Sequence, residues 1–249
     1  MPGASLSLSG PNVVLNTAVA EELSQFCSRL SQSSDADLNA SIHQLLKETF
    51  TEHERIIFNG NGYSDEWLEE AARRGLPNYR STPEALPHFL DEKNVLLFTK
   101  HHVLTKAEMI SRYEILLEDY CKTIHIEART MAEILQKELL PSIFSYMSRL
   151  ASTGIKAKEL VPTLSVTAEE KLLTALNEKA NGLSKHLDTL RTLTKEAEGI
   201  KDELAAGSFY HDVILPELES IRLLANEAEV LIPESILPYP TYDTLLFSL

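Results

Sequence analysis

Residues 167–206, TAEEKLLTALNEKANGLSKHLDTLRTLTKEAEGIKDELAA, decide the fold, because their apolar residues recur at steps of three and four. Steps of this size place side chains on one face of an α-helix. The average step is close to the 3.5-residue repeat of a coiled coil, so we expect lengthwise packing on other helices. Thr167 and Glu170 have the spacing of a capping box, which predicts the helix start. The apolar positions are Leu176, Ala180, Leu183, Leu187, Leu190, Ala197 and Leu204.

A second long helix is predicted immediately before this one. Thr105 and Glu108 have capping-box spacing, and the helical pattern continues to about Ser152. Pro141 should bend the helix or break it into two, because proline removes one backbone hydrogen bond and crowds the preceding turn. Gly154 is expected in the linker that follows. The apolar positions of this helix are Ile110, Tyr113, Leu117, Tyr120, Ile124, Ala128, Met131 and Leu135.

A third helix is predicted from about Ser208 to Leu231, with Pro216 early in it. Helices of this length joined by short linkers pack as antiparallel neighbours. We therefore predict an all-α fold, in which a long antiparallel helical hairpin carries a returning third helix. Residues 237–249 are too rich in proline to be helical at first, and their apolar end should dock on a groove of this chain or of a neighbour.

A smaller N-terminal helical part precedes the hairpin. Residues 5–9 alternate like a short edge strand or extended arm. Apolar positions at helical spacing predict helices over 13–30 and over 37 to about 58. The predicted apolar face of the first of these consists of Val14, Leu15, Ala18, Leu23, Phe26 and Leu30.

The segment from 59 to 104 is irregular by comparison. Gly60 and Gly62 in NGNG predict a turn, since glycine tolerates backbone angles that other residues avoid. Ser64 should cap a short helix that Gly75 ends. Thr82 should cap another, with proline in its first turn.

Composition excludes several classes of function. The formal net charge of −14 argues against nucleic acid and anionic membrane partners, which require clustered Lys and Arg. The sequence lacks the run of about 18 apolar residues that spans a membrane, and its start lacks the features of a signal peptide. Cys27 and Cys121 are too few for a disulfide framework. We expect a cytoplasmic protein with reduced thiols, no nucleic acid partner and no membrane partner.

Two histidine-containing pairs come nearest to a metal site in this sequence. A di-iron bundle uses Glu-x-x-His on inward helix faces, and a zinc protease uses His-Glu-x-x-His, and neither spacing occurs. His125 and Glu127 lie two residues apart on a helix, so they point about 200° away from each other. His101-His102 is the other pair. We expect solvated or structurally bonded roles for these residues.

Gly60-Asn61-Gly62, ahead of a predicted helix, raises the alternative of a phosphate loop. Asp65 and Glu66 at that helix start would repel a phosphate, and such loops usually supply Lys and backbone N–H groups. A turn followed by a capped helix is the simpler interpretation. The residues therefore predict no catalytic, cofactor-binding or metal-binding position in this chain.

Several segments together resemble the C-terminal portion of type III glutamine synthetases. They stand in the family's order and at its approximate spacing, and they cover nearly the whole chain. These segments are GPNVVLNTAVAEELSQF at 10–26, RRGLPNYRSTPEALP at 73–87, SRYEILLEDYCKTIHIEARTM at 111–131 and LPYPTYDTLLF at 237–247, with NGNGYSDEW at 59–67 and HDVILPELESIRLLANE at 211–227 as further matches.

The resemblance implies that the parent enzyme joins ammonia to glutamate with ATP and Mg or Mn. Its metal ligands and its ATP, glutamate and ammonia loops would lie upstream of Met1, so no cofactor is expected in this chain and the chain alone should be inactive. The expected division is 1–56, the end of the catalytic domain, then 57–104, an irregular connection with short helices, then 105–249, the type III helical domain with its docking tail.

Two functions stay open on this resemblance. The leading one is a structural, assembly or regulatory part of a synthetase, whose partners are the rest of that enzyme or further copies in a homo-oligomer. The alternative is a standalone helical protein-interaction module that descends from this domain and has no catalytic activity.

Overall fold

The computed structural model describes residues 7–34 and 37–247, apart from the side chains of Tyr242 and Asp243. All regular elements of these residues are helical, which confirms the predicted all-α class. In the same residues, no helix combines the length and apolar character that crossing a membrane requires.

The chain forms two compact units, residues 1–115 and residues 116–249. The three-part division expected from the sequence stays a prediction. The α-helices are α1 (Ser9–Leu30), α2 (Leu38–Glu52), α3 (Asp65–Arg73), α4 (Thr82–Ala85), α5 (Glu92–Lys100), α6 (Lys106–Ile134), α7 (Leu140–Leu160), α8 (Thr167–Glu198), α9 (Glu203–Phe209), α10 (Leu215–Glu229) and α11 (Tyr242–Phe247).

Within the described residues, five shorter helical turns connect these helices. Three are 3₁₀ turns, Glu54–Ile56, Leu86–Leu90 and Glu234–Ile236. Two are π-helical turns, Leu135–Leu139 between α6 and α7 and Tyr210–Ile214 between α9 and α10.

The last residue of the predicted extended arm is helical. Residues 5 and 6 of that arm lie outside the described residues, and Ser9 already belongs to α1. The Asn12 amide hydrogen-bonds to the Leu8 carbonyl at 3.0 Å, so the helix starts four residues earlier than predicted.

Three other features of the first unit differ in detail from the prediction. The second predicted helix, 37 to about 58, ends as α-helix at Glu52. Ser64 is the N-cap residue of α3, but its hydroxyl donates to the Asn61 carbonyl instead of accepting from the helix. Ser81, not Thr82, caps α4, since its hydroxyl accepts from the Glu84 amide. Gly75 does follow α3 and has a positive φ of 70°.

The helical hairpin of the second unit is present. α8 packs along α7 on one side and along α10 on the other. Lys158 lies near Glu170, and Arg191 near Gln136, so α8 runs antiparallel to the helix before it. The buried residues of α8 are Leu176, Ala180, Leu183, Leu187, Leu190, Thr194 and Ala197, which include all but one of the predicted apolar positions.

Pro141 in the hairpin and Pro216 in the returning helix are each accommodated by a π-helical turn. The Leu140 amide bonds to the Leu135 carbonyl, five residues back, directly before Pro141. The Leu215 amide bonds in the same way to the Tyr210 carbonyl, directly before Pro216. A wider turn makes room for the proline ring and for the missing N–H group. The interruption predicted at Pro141 is thus confirmed, as a π turn within continuing helical structure.

The junction between α7 and α8 differs from the prediction. Helix α7 continues past the predicted end to Leu160 and contains Gly154. A Cβ on Gly154 would lie 3.9 Å from the Val166 side chain, which is itself buried. Val166 occupies the N-cap position of α8, so the predicted capping box of Thr167 and Glu170 does not form. The box predicted for Thr105 and Glu108 does form, with bonds of 2.7 and 3.2 Å.

The chain reverses between α8 and α9 earlier than predicted. Helix α8 ends at Glu198, with Gly199 as its C-cap residue. The Asp202 carboxylate then accepts from the Ala205 amide at 2.7 Å and starts α9. Leu204 therefore belongs to the returning helix.

Candidate functional site

His125 and Glu127 are not brought together. His125 Nδ1 lies 3.1 Å from the Tyr210 hydroxyl, and its Nε2 lies 3.6 Å from the Glu198 carboxylate. Glu127 is exposed. Among residues 7–34 and 37–247, no group of three or more His, Cys, Asp and Glu side chains has the arrangement of a metal site. Cys27 and Cys121 are free thiols.

His101 belongs to a polar cluster that joins α5 to α1. Glu21 on α1 accepts from Lys100 Nζ at 2.7 Å, and its other oxygen lies 2.6 Å from His101 Nε2. Gln25 donates to the same carboxylate at 2.9 Å. His102, the next residue, has a positive φ of 54°, the left-handed conformation in which a helix commonly ends. Sequence reasoning missed this cluster, because its members lie about 80 residues apart.

These partners lower the pKa of Glu21 from 4.5 to about 2, with the hydrogen bond from Lys100 as the largest cause. A carboxyl group whose pKa is lowered in the folded state stabilises the fold at pH values above its ordinary pKa. This stabilisation is lost as the pH falls toward the lowered pKa.

We expect Glu21→Gln to lower the stability of the first unit near neutral pH. The difference from the wild-type chain should shrink between pH 4.5 and about 2, where the wild-type carboxylate becomes protonated. Urea unfolding, followed by the fluorescence of Trp67, the single tryptophan, measures this difference in stability. Glu22→Gln is the matched control at an exposed neighbour. An identical pH profile for all three proteins would contradict the stabilising role of Glu21.

The Gly-Asn-Gly segment forms a closed turn. The Asn61 side chain accepts from the Tyr63 amide at 3.1 Å, and the Asn61 carbonyl accepts from the Ser64 amide at 3.2 Å. The Phe58 ring stacks on the Trp67 ring with centroids 4.4 Å apart. A Cβ on Gly60 would lie 2.7 Å from Cε1 of the Phe58 ring. Gly60 therefore serves the packing of Phe58, which agrees with the turn interpretation.

We expect Gly60→Ala to displace Phe58 from Trp67, because the added methyl group overlaps the ring. Overpacking of this kind typically costs about 1–3 kcal/mol. Trp67 emission should shift, and the urea midpoint of the first unit should fall. Gly62→Ala is the matched control, since a Cβ there meets nothing within 4 Å. Equal spectra for the two variants would show that Phe58 does not depend on Gly60.

An apolar stripe on α1 is the most prominent surface feature of the first unit. Leu8 immediately precedes the helix, and Leu15, Val19 and Leu23 follow at helical spacing, with 56–64% of each side chain exposed. We call these four residues the α1 stripe. Thr17, on the opposite side of the helix, is 4% exposed. Helix α1 packs on α2 and α5.

Helix α2 also exposes apolar side chains. Leu46 is 45% exposed and Phe50 is 63% exposed. The predicted apolar face of α1 is therefore only partly covered, since Phe26 and Leu30 are half-buried and Val14, Leu15, Ala18 and Leu23 are exposed. Adjacent exposed aliphatic and aromatic side chains mark surfaces that contact another protein or another part of the same protein. The arrangement can provide binding area. Among the described residues of the first unit, we assign no general acid, general base or nucleophile.

The chain matches known proteins over almost its whole length. Residues 41–158 match the family described as glutamine synthetase C-terminal domain. The chain is 41% identical over 229 residues to a glutamine synthetase of Butyrivibrio fibrisolvens, an alignment that covers 92% of this chain and 33% of that protein. It is 30% identical over 250 residues to a type-3 glutamine synthetase of Dictyostelium discoideum. That alignment covers 98% of this chain and 34% of that protein.

A glutamine synthetase of Bacteroides fragilis is 29% identical over 255 residues, covering 99% of this chain and 35% of that protein. The chain thus spans about a third of the length of the curated relatives it matches. The matched family description, the type-3 relative and the resemblance of the sequence segments agree with one another. The chain belongs to the glutamine synthetase family and carries its C-terminal domain.

Proposed function

We propose that this chain is the C-terminal part of a type III glutamine synthetase and that it serves the structure and assembly of that enzyme. The parent enzyme would join ammonia to glutamate with ATP, using Mg or Mn at metal sites outside this chain. The observation that supports this proposal is the α1 stripe, an apolar helical face that is exposed to solvent in the first unit.

Burial of the α1 stripe against another protein surface would be energetically favourable. Burying one leucine or valine side chain contributes roughly 1.5–3 kcal/mol. Leu15, Val19 and Leu23 are each more than half exposed, so most of that stabilisation is unrealised in this chain. The relatives are about three times as long, and the remainder of such a synthetase is the natural source of a complementary apolar surface.

The chain alone should be inactive. Ligation of ammonia to glutamate requires sites for ATP and divalent metal, and we place those sites in the part of the parent enzyme that the matched third does not include. We expect the purified chain to form no glutamine from glutamate, ammonia and ATP. Activity above an enzyme-free blank that persists through further purification would overturn this expectation.

A chimera tests the structural role. This chain replaces the matched third of the Butyrivibrio fibrisolvens synthetase, and the product is assayed for ATP-dependent glutamine formation and for mass by light scattering coupled to size exclusion. Val19→Lys with Leu23→Lys should abolish activity or reduce the assembled mass, since two charges would enter a buried contact.

Leu160→Lys with Val230→Lys is the matched control, because these side chains are 84% and 86% exposed and lie in the second unit. This control should keep the activity and mass of the unmodified chimera. If the stripe variant behaves like the control, the α1 stripe is not an assembly contact. A chimera that never assembles, beside an isolated chain that is stable and monodisperse, would favour the standalone interaction module.

A further inference from the structure

A groove on the second unit has an unusual balance of charge for this chain. It lies between α6 with its following π turn and α8, and its volume is about 560 Å³. That volume falls within the range of small-molecule sites. Its ionisable lining residues are Arg129, Glu133, Lys137 and Arg191, three cations and one acid, although the whole chain has a net charge of −14.

The arrangement of the groove follows from helix geometry. Ile126, Arg129 and Glu133 recur at steps of three and four, so they share one face of α6. Lys137 stands in the π turn, four residues beyond Glu133, and continues that face. Arg191 reaches the groove from α8 on the opposite side.

The three positive charges of the groove share one carboxylate, that of Glu133, which interacts with both Lys137 and Arg129. Lys137 forms an ion pair with Glu133, and this pair lowers the pKa of the Glu133 carboxyl. Arg191 donates to the Gln136 side-chain oxygen, a neutral acceptor. Among the described residues, no carboxylate lies within ion-pair distance of the guanidinium group of Arg129 or Arg191.

Arg191 lies beside the Gln136 side chain, to which its guanidinium donates a hydrogen bond. Guanidinium groups bind carboxylates and phosphates through paired N–H donors. Thr130 adds a hydroxyl donor, and Ile126, 62% exposed, adds an apolar surface beside the cations.

We propose that this groove binds a small, multiply charged oxyanion, held by Arg129 and Arg191 and assisted by Lys137. The chemistry shared by the ligands it fits is a group of at least two clustered anionic oxygens, which a phosphorylated metabolite or a polycarboxylate would supply. The proposal concerns the second unit alone and does not depend on the assembly role proposed for the α1 stripe.

Calorimetric titration of the intact chain tests the site, with pyrophosphate and citrate as separate probes and chloride at matched ionic strength as the blank. We expect saturable binding of at least one probe that weakens as salt is added. Arg129→Gln with Arg191→Gln should weaken it at least about tenfold, because hydrogen bonds to charged groups are lost. Arg191→Lys should weaken it less, since it keeps the charge and loses the paired donors.

The matched control is Arg149→Gln with Lys158→Gln, which removes two positive charges from α7 outside the groove. This control should bind like the unmodified chain. Far-UV circular dichroism checks that the variants fold, which is expected because the substituted side chains are solvent-exposed. Binding by pyrophosphate alone assigns the groove to phosphates, and binding by citrate alone assigns it to polycarboxylates. No saturable binding of either probe, or equal losses in the groove and control variants, would overturn the proposal.

Discussion

Replacing Leu187 by aspartate is expected to unfold the second unit under conditions in which the unmodified chain is stable. Leu187 is 5% exposed and lies in the core shared by α8 and its neighbours. The substitution removes a buried aliphatic side chain, worth roughly 1.5–3 kcal/mol, and places a carboxylate in its position without a partner. We expect the free energy of unfolding to fall by about 4 kcal/mol or more. Losses of this size come from a few kinds of change, among them the burial of an unpaired charge.

Urea unfolding followed by circular dichroism at helical wavelengths measures the effect. Leu223→Asp is the matched control, because it is the same substitution on α10 at a side chain that is 58% exposed. The control should change the free energy of unfolding by less than about 0.5 kcal/mol. An unchanged midpoint for Leu187→Asp would show that the stripe of α8 does not support the fold.

Removing residues 236–249 is expected to destabilise the second unit by about 3 kcal/mol. Ile236, Leu237 and Tyr239 pack against its core as partly buried side chains, each contributing part of the 1.5–3 kcal/mol that full burial provides. The Tyr239 hydroxyl also donates to Glu229 at 2.6 Å. Burial, together with the bond to Glu229, raises the pKa of the Tyr239 phenol, so it stays a neutral donor.

A shorter deletion of residues 240–249 is the control for this experiment. It retains the three packed residues and removes the tip, in which Leu245, Leu246 and Phe247 are 60–78% exposed. The short deletion should leave the melting temperature of the isolated chain nearly unchanged. If both deletions have the same effect, the tail is not anchored at Tyr239.

The tail shows how far sequence reasoning reached. The two prolines and the apolar residues that follow predicted docking of the apolar end of residues 237–249. The structure docks the first part of the segment on this chain, whereas Leu245, Leu246 and Phe247 stay exposed. Docking of that tip on a neighbour therefore stays a prediction.

Of the two capping boxes predicted from the sequence, one forms and the other does not. Thr105 and Glu108 form the predicted box at the start of α6. At α8 the same spacing gives no box, because burial of Val166 against α7 fixes the backbone ahead of Thr167. A capping hydrogen bond is worth about 1 kcal/mol, so burial of one valine outweighs it.

The sequence by itself determined the long helices, the hairpin with its returning helix and the family, because periodicity and family segments are local properties of the chain. The tertiary structure decided which apolar faces are covered. The stripes of α8 and α1 follow similar periodic rules, yet Leu187 is buried and Leu23 is 61% exposed. It also assembled the cluster around Glu21 and the groove of Arg129 and Arg191 from residues distant in sequence. The physical reason is that periodicity creates a face, while burial depends on a partner surface elsewhere in the chain or beyond it.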